Sequence, residues 1–396
     1  MSYLEKILNG IKVEWGILGE FADYEQPTNY LVSSKNYNDK FPTPVLTAGK
    51  TFILGYTDET EGIYKASEDP VIIFDDFTTA NKWVDFDFKA KSSAMKMISS
   101  KDENTVLLKY IYHWLNTLPS GLVDGDHKRQ WISNYANKKI PIPPIEVQKK
   151  IVSVLDNFME LTAELTAELT AELTARKMQY NFYREKLYSI SESEIARKAL
   201  GEVGEFQRGK RFVKDDMIAE GVPCIHYGEM YTFYGTWASK CKSFLSEVLV
   251  ESKNLRIAVN GDVVIVAAGE TIEDIGTGTA WLGDEGVVIH DACFSFRSQL
   301  NPKYVAYFTR TKQFHDQIKK YISSGKISAI NAKGLEKALI PVPSPEVQER
   351  IVSILDKFDI LTSSISEGLP KEIELRKKQY EYYRDLLLTF PKKETV

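Results

Sequence analysis

The stretch IPIPPIEVQKKIVSVLDNF at residues 140–158 returns as IPVPSPEVQERIVSILDKF at residues 340–358, a shift of 200 residues. The same shift carries RKMQYNFYR (176–184) onto RKKQYEYYR (376–384), and two anchors with one offset define an internal duplication. A fainter echo opens the chain, where Tyr3-Leu4-Glu5-Lys6-Ile7 followed by Leu18-Gly19-Glu20-Phe21 resembles Tyr183-Arg184-Glu185-Lys186-Leu187 followed by Leu200-Gly201-Glu202-Val203. Four segments follow from this: a tail and first variable segment (1–138), a repeated segment (139–190), a second variable segment (191–338) and a second repeated segment (339–396). The repeated parts match closely and the variable parts do not. The two halves are therefore expected to share a frame and carry different surfaces.

The repeats read as an extended lead-in followed by a helix. Prolines 141, 143 and 144 in the first copy, and 341, 343 and 345 in the second, forbid a helix there and fix an extended entry. Val147, Ile151, Leu155 and Phe158 then fall at helical spacing, continued by Leu161, Leu165, Leu169, Leu173 and Met178. No glycine or proline interrupts Glu146–Tyr188, so one helix of about 40 residues and 60 Å is expected. Inside it Thr162-Ala163-Glu164-Leu165 is repeated at Thr166–Leu169 and Thr170–Leu173. Each such unit adds about 6 Å without breaking the helix, which is how a spacer is built. The second repeat has Gly368-Leu369-Pro370 there instead, so a break is expected between one helix around 346–366 and another starting near Pro370. Helices of this length bury their apolar stripes best against each other, with Leu161, Leu165, Leu169 and Leu173 facing Ile351, Leu355 and Phe358 in an antiparallel pair.

The variable segments mix short β-rich runs (71–74, 263–266, 286–289, 293–296) with one helix each, Thr105–Leu118 and Pro302–Lys320. The expected fold class is α/β, with two globular heads separated by two long antiparallel helices in a pseudo-two-fold arrangement. Basic and amide residues recur beside Gly, Ser and Thr in loops of both heads. In the first they are Thr47, Lys50, Thr79, Asn81, Lys82, Lys91, Ser92, Lys128, Arg129 and Gln130. In the second they are Gln207, Arg208, Lys210, Arg211, His226, Tyr227, Thr271, Ser324, Gly325 and Lys326. Lys and Arg neutralise phosphates, and Asn, Gln and Arg pair with base edges, so the set points to nucleic acid although any single member reads more readily as a solvated charge.

Composition bounds the rest. The 396 residues are 43% hydrophobic and 27% charged, enough for two or three cored domains and unlike a disordered chain. Net charge is −5, so contact with nucleic acid must use a local basic face. No apolar run approaches the roughly 18–20 residues of a membrane helix, and the opening lacks the apolar core of a secretion signal, so a cytoplasmic protein without membrane contact is expected. Cys224, Cys241 and Cys293 form no CxxC pair and read as ordinary core or surface residues. Five dispersed histidines offer no metal cluster. Gly49-Lys50-Thr51 lacks the first glycine of a phosphate loop, which Pro44 replaces. Asn301-Pro302-Lys303-Tyr304 reads as a helix N-cap followed by a first-turn proline. Asp75, Asp87 and Lys89 mimic the carboxylate spacing of metal-dependent nucleases, with no counterpart in the second head. The residues therefore point to a chain without catalytic groups of its own.

The duplicated proline-rich lead-in, the EVQ-initiated helices, the TAEL units and the RK-x-QY-x-x-YR endings resemble the specificity subunit of type I restriction-modification systems, and within it the TAEL-repeat (type IC-like) branch. The likeness covers essentially the whole chain. It implies two target-recognition domains, each reading one half of a bipartite, asymmetric site in double-stranded DNA. It also implies a non-catalytic chain that binds no cofactor or metal itself. Two modification subunits using S-adenosylmethionine, and translocase-nuclease subunits using ATP and Mg2+, are the implied partners. A coiled-coil interaction scaffold without DNA specificity is the alternative, and a nuclease centred on Asp75, Asp87 and Lys89 a third.

Overall fold

The computed structural model describes residues 13–48, 51–119, 129–189, 195–325, 327–364 and 367–390. The echo at Tyr3–Ile7 and the candidates Lys50, Lys128 and Lys326 lie outside the described residues. The described residues form two compact units, one running to Glu168 and resuming at Ile373, the other spanning Leu169–Glu372. The boundary falls within the TAEL run of a single helix.

In the first unit the β-branched run Val71–Asp75, buried along its length, is one of the two inner strands of an antiparallel sheet. Its order is Ala22–Glu25, Met95–Ser100, Val71–Asp75, Asn81–Val84. A second sheet has Thr43–Leu46 between antiparallel Ile53–Thr57 and parallel Lys89–Ala90. The second unit repeats both patterns. Its larger sheet runs Gly204–Arg208, Cys293–Ser298, Val263–Val266, Gly278–Trp281, with Trp237–Ala238 added at the edge. Its smaller sheet has Val222–Ile225 between antiparallel Ser243–Leu245 and parallel Val287–Ile289, with Ile257–Ala258 beyond. The heads are thus duplicated too, a relation hidden in the sequence because insertions shift each strand by a different amount.

The long helix runs Ile145–Tyr188, 44 residues, or about 66 Å at 1.5 Å per residue. The second repeat forms Pro345–Ser363 and Leu369–Leu388, broken where expected. Gly368 is required there: a Cβ would lie 2.4 Å from the Ile360 carbonyl oxygen and 2.8 Å from that of Leu361. The expected helix Pro302–Lys320 is instead two, Pro302–Phe308 and Lys312–Ile318. Thr311 caps the second by accepting from the Phe314 N–H, and the Thr309 hydroxyl accepts from the Gly278 N–H at 3.0 Å, turning the chain between them. Thr105–Leu118 shortens to Leu108–Leu115, because Thr105 belongs to a turn closed by Asp102.

Each unit fastens its head to the repeated segment with the same device. In the first, Gln148 donates to the Pro143 carbonyl (2.8 Å) and accepts from the Leu107 N–H (3.0 Å), while the Tyr110 hydroxyl donates to the Pro141 carbonyl (2.9 Å). In the second, Gln348 donates to Pro343 (2.9 Å) and accepts from Asn301 (2.9 Å), and Tyr304 donates to Pro341 (3.0 Å). Asp156 meets His113 (2.7 Å) and Lys109 (3.7 Å), and Asp356 meets Tyr307 (2.7 Å) and Lys303 (2.7 Å). Lys109 lies 4.1 Å from the Trp83 ring centre, and Lys303 4.2 Å from that of Trp237. These contacts explain physically why Gln and Asp of the repeat recur: the buried Gln and the partly exposed Asp each satisfy groups of a head helix.

Aromatic pairs hold the long helices. Phe158 packs on Tyr383 in the first unit (5.4 Å), and Phe358 on Tyr183 (5.6 Å) and Tyr180 (6.1 Å) in the second. The 200-residue shift exchanges Phe158 with Phe358 and Tyr183 with Tyr383, so the same pair is made twice. Of the residues expected in the leucine seam, Leu165, Leu169 and Leu173 are partly buried and Leu161 is 52% exposed. Ile351 and Leu355 sit in the second unit's core beside Tyr188 and Tyr304 rather than in a seam of leucines.

Candidate nucleic-acid interface

In the second head the structure draws the basic run Gln207-Arg208-Gly209-Lys210-Arg211 over the ends of two strands. The Gly209 N–H donates to the Cys293 carbonyl (3.0 Å) and that of Lys210 to Ile289 (3.3 Å). Glycine is needed at 209, where a Cβ would lie 2.2 Å from the His290 carbonyl oxygen. Arg208 donates to the Asp291 carbonyl at 3.0 Å, and Lys210 reaches the Lys253 carbonyl at 3.4 Å. Parallel pairing of Val222–Ile225 with Val287–Ile289 brings His226 and Tyr227 beside His290. Ring centres are 4.7 Å apart for His226 and His290 and 4.6 Å for His226 and Tyr227, with buried Phe212 edge-on to both histidines. Burial pulls both histidines below their usual pKa.

A ribbon adjoins this cluster. Ala268–Gly269 pairs with Ser328–Ala329, and the Ala267 and Ala268 N–H groups both reach the Ala292 carbonyl (2.7 and 3.2 Å). The ribbon carries exposed Thr271, bonded to Asp274, together with exposed Ser324 and Gly325. Nine of the ten second-head candidates are described, and all belong to this cluster or ribbon.

The first head disperses its candidates more. Thr79 is buried at φ 62° in the turn after Val71–Asp75, which Asp75 fixes by accepting from the Phe77 N–H (2.9 Å) and the Thr78 hydroxyl (2.7 Å). The amide oxygen of Asn81 accepts from Asn116 (2.9 Å), tying sheet to helix. Thr79 is thus part of a turn, and the Asn81 side chain has a structural task. Lys82, Ser92 and Arg129 are exposed. The Thr47 hydroxyl donates to the Thr51 carbonyl (2.6 Å), and Lys91 lies 5.6 Å from the Tyr37 ring centre at the end of the smaller sheet. Gln130 follows Arg129 into a short helix, its N–H on the Asp76 carbonyl (2.8 Å). Sequence reasoning missed Lys96, which is buried 3.8 Å from Asp76 and 4.8 Å from the Tyr24 ring centre. Burial lowers its pKa. It also missed His290, whose proximity to His226 only sheet pairing reveals.

The nuclease-like carboxylates do not converge. Asp75 holds its turn, Asp87 is paired with Lys65 (2.7 Å) and Ser67 (2.6 Å), and Lys89 with Glu59 (3.0 Å). Among the described residues no group of three His, Cys, Asp or Glu could hold a metal ion. Cys224 and Cys293 are buried with thiols pushed up to about 12, out of reach of nucleophilic chemistry at neutral pH. Among the described residues no helix is long and apolar enough to cross a membrane. The arrangement offers grouped cations, directed donors and aromatic rings, which is the chemistry of binding.

Comparison with known proteins gives a consistent answer. The family model "Type I restriction modification DNA specificity domain" matches residues 12–175 and 192–375. The chain is 49% identical to the type I restriction enzyme EcoR124I/EcoR124II specificity subunit of Escherichia coli, covering 100% of this chain and 99% of that one. It is 33% identical to a putative type I restriction enzyme specificity subunit of Haemophilus influenzae, with 98% of each covered. In fold it resembles a chain from a structure of type I R-M complex assembly and conformational transition (TM-score 0.65, 17% identity, 96% and 98% covered). It also resembles the HsdS subunit from Thermoanaerobacter tengcongensis (TM-score 0.51, 17% identity, 96% and 98% covered).

Proposed function

The chain belongs to the type I restriction-modification DNA specificity family, and from that premise we propose that each of its heads reads one half of a bipartite, asymmetric DNA site. It is a DNA-recognition subunit without catalysis of its own. The observation that carries the reading is the duplication: two heads share one sheet topology and one mode of attachment while their loops differ. A frame made twice with unlike surfaces suits a ligand with two unlike halves. In this reading the segments 1–138 and 191–338 are target-recognition domains, and 139–190 and 339–396 the helical frame.

The second head reads through Gln207, Arg208, Lys210, Arg211, His226, Tyr227 and the ribbon residues Thr271, Ser324 and Gly325, together with Lys326. The first reads through Thr47, Lys50, Lys82, Lys91, Ser92, Lys128, Arg129 and Gln130. Cations fix the duplex by its phosphates, and amide and imidazole groups address base edges. The antiparallel helices set the distance between half-sites. One TAEL unit spans about 6 Å, and base pairs stack at about 3.4 Å, so the number of units tunes the unread gap. The three TAEL units at 162–173 support reading the chain as a member of the TAEL-repeat branch.

The partners in this reading are two adenine-N6 methyltransferase subunits, which carry S-adenosylmethionine, and translocase-nuclease subunits, which use ATP and Mg2+. Replacing Arg129 together with Lys128 by Ala is expected to weaken the complex's binding through the first half-site only. Gel-shift titrations against duplexes scrambled in one half-site at a time test this, and a change confined to the second half-site overturns the assignment of heads.

A further inference from the structure

The hydrogen bonds around His226 fix which of its ring atoms carries a proton. The Gly228 N–H donates to His226 Nδ1 at 3.3 Å. A backbone N–H can only donate, so Nδ1 holds a lone pair and the ring proton sits on Nε2. Among the described residues no acceptor meets that Nε2–H. Protonating the ring would set one N–H against another.

The neighbours keep it neutral. The Ala292 N–H donates to His290 Nδ1 at 3.1 Å, so that ring, 4.7 Å away, also carries its proton on Nε2, although Asp291 Oδ1 lies 3.0 Å from the accepting nitrogen. Glu229, whose carboxylate accepts from the His226 backbone N–H (3.1 Å) and the Ser243 hydroxyl (2.5 Å), and Asp291 both favour a cation on His226, but burial outweighs them. Lys214 opposes a charge on His226, Arg211 opposes one on His290, and burial lowers the pKa of both rings. The His226 ring is therefore held as a neutral donor at neutral pH, beside the basic loop that would neutralise DNA phosphates.

We propose that His226 is a specificity-determining residue of the second head, donating a hydrogen bond from Nε2–H, as a neutral ring, to an acceptor on a base edge of its half-site. This rests on the DNA-reading function proposed above. In the major groove the acceptors are purine N7, guanine O6 and thymine O4. A phosphate oxygen could take the same donor, but it would carry no sequence information. His290 and Phe212 are positioning residues that hold the ring against the loop.

The test uses the full chain assembled with its modification subunit, titrated against duplexes carrying every single base-pair change in both half-sites. His226→Ala is expected to weaken binding to the intact site about tenfold and to flatten the preference at one position of the second half-site. Preferences in the first half-site stay as they are. His226→Gln, whose amide nitrogen can stand near Nε2, is expected to keep part of that preference and the wild-type melting temperature. The ratio of wild-type to His226→Gln affinity should be level from pH 6.5 to 8.5. Uniform weakening across all sequences would assign the donor to phosphate and overturn the inference. So would a ratio that climbs steeply in acid, or unchanged binding by His226→Ala. A wild-type complex with no preference at either half-site would instead remove the underlying function, and the inference with it.

Discussion

His226, His290 and His315 of the second head all lie below the usual histidine value of 6.5, chiefly because burial disfavours the cation. Unfolded, these rings regain that value, so below about pH 6.5 the unfolded chain binds more protons than the folded one. Stability is therefore level above that pH and declines as pH falls through it. The melting temperature is expected to drop between pH 7 and pH 5.5, and His290→Gln to make that drop shallower. An equal slope in the variant would show that His290 is not held neutral. The residue scale is also where the sequence was least legible. The basic run 207–211 and His226 stand out in it, but His290 lies 64 residues beyond His226 and joins it only through a parallel strand pair. Thr79 reads as a loop donor, but it is buried in a turn at positive φ.

Among the elements, the repeated segments were legible almost to their ends, because proline lead-ins and an unbroken apolar period leave few alternatives over 44 residues. The break at Gly368 was legible for the same reason. The head helices were harder, since side-chain bonds from Thr309 and Thr311 divide one helical pattern into two. The sequence did not disclose why Gln148 and Gln348 recur, and their bonds supply a test. Gln148→Leu leaves the Leu107 N–H without its acceptor and is expected to cost about 1–3 kcal/mol in denaturant unfolding, as is Gln348→Leu at Asn301. Tyr110→Phe and Tyr304→Phe, which free only a proline carbonyl, should cost about 0.5–1.5 kcal/mol each. Equal and negligible losses would mean that the heads are held by apolar packing alone.

For the molecule as a whole, the duplication visible in two sequence anchors extends to strand order, to the clamps on each head and to the reciprocal Phe–Tyr pairs. With a net charge of −5, DNA must be met by local basic faces, so binding by the assembled complex should fall steeply between 50 and 200 mM salt. Salt-independent binding would favour an interaction scaffold over a DNA reader. The central claim is that two heads read two half-sites at a distance set by the helices. Methylome sequencing of cells expressing the chain with its modification subunit, beside a variant lacking Thr166–Leu169, tests it most directly. The account predicts a bipartite adenine motif with one fixed gap, and in the variant the same two half-sites around a different gap. A single contiguous motif, no new methylation from an assembled complex, or altered half-site bases in the variant would contradict it.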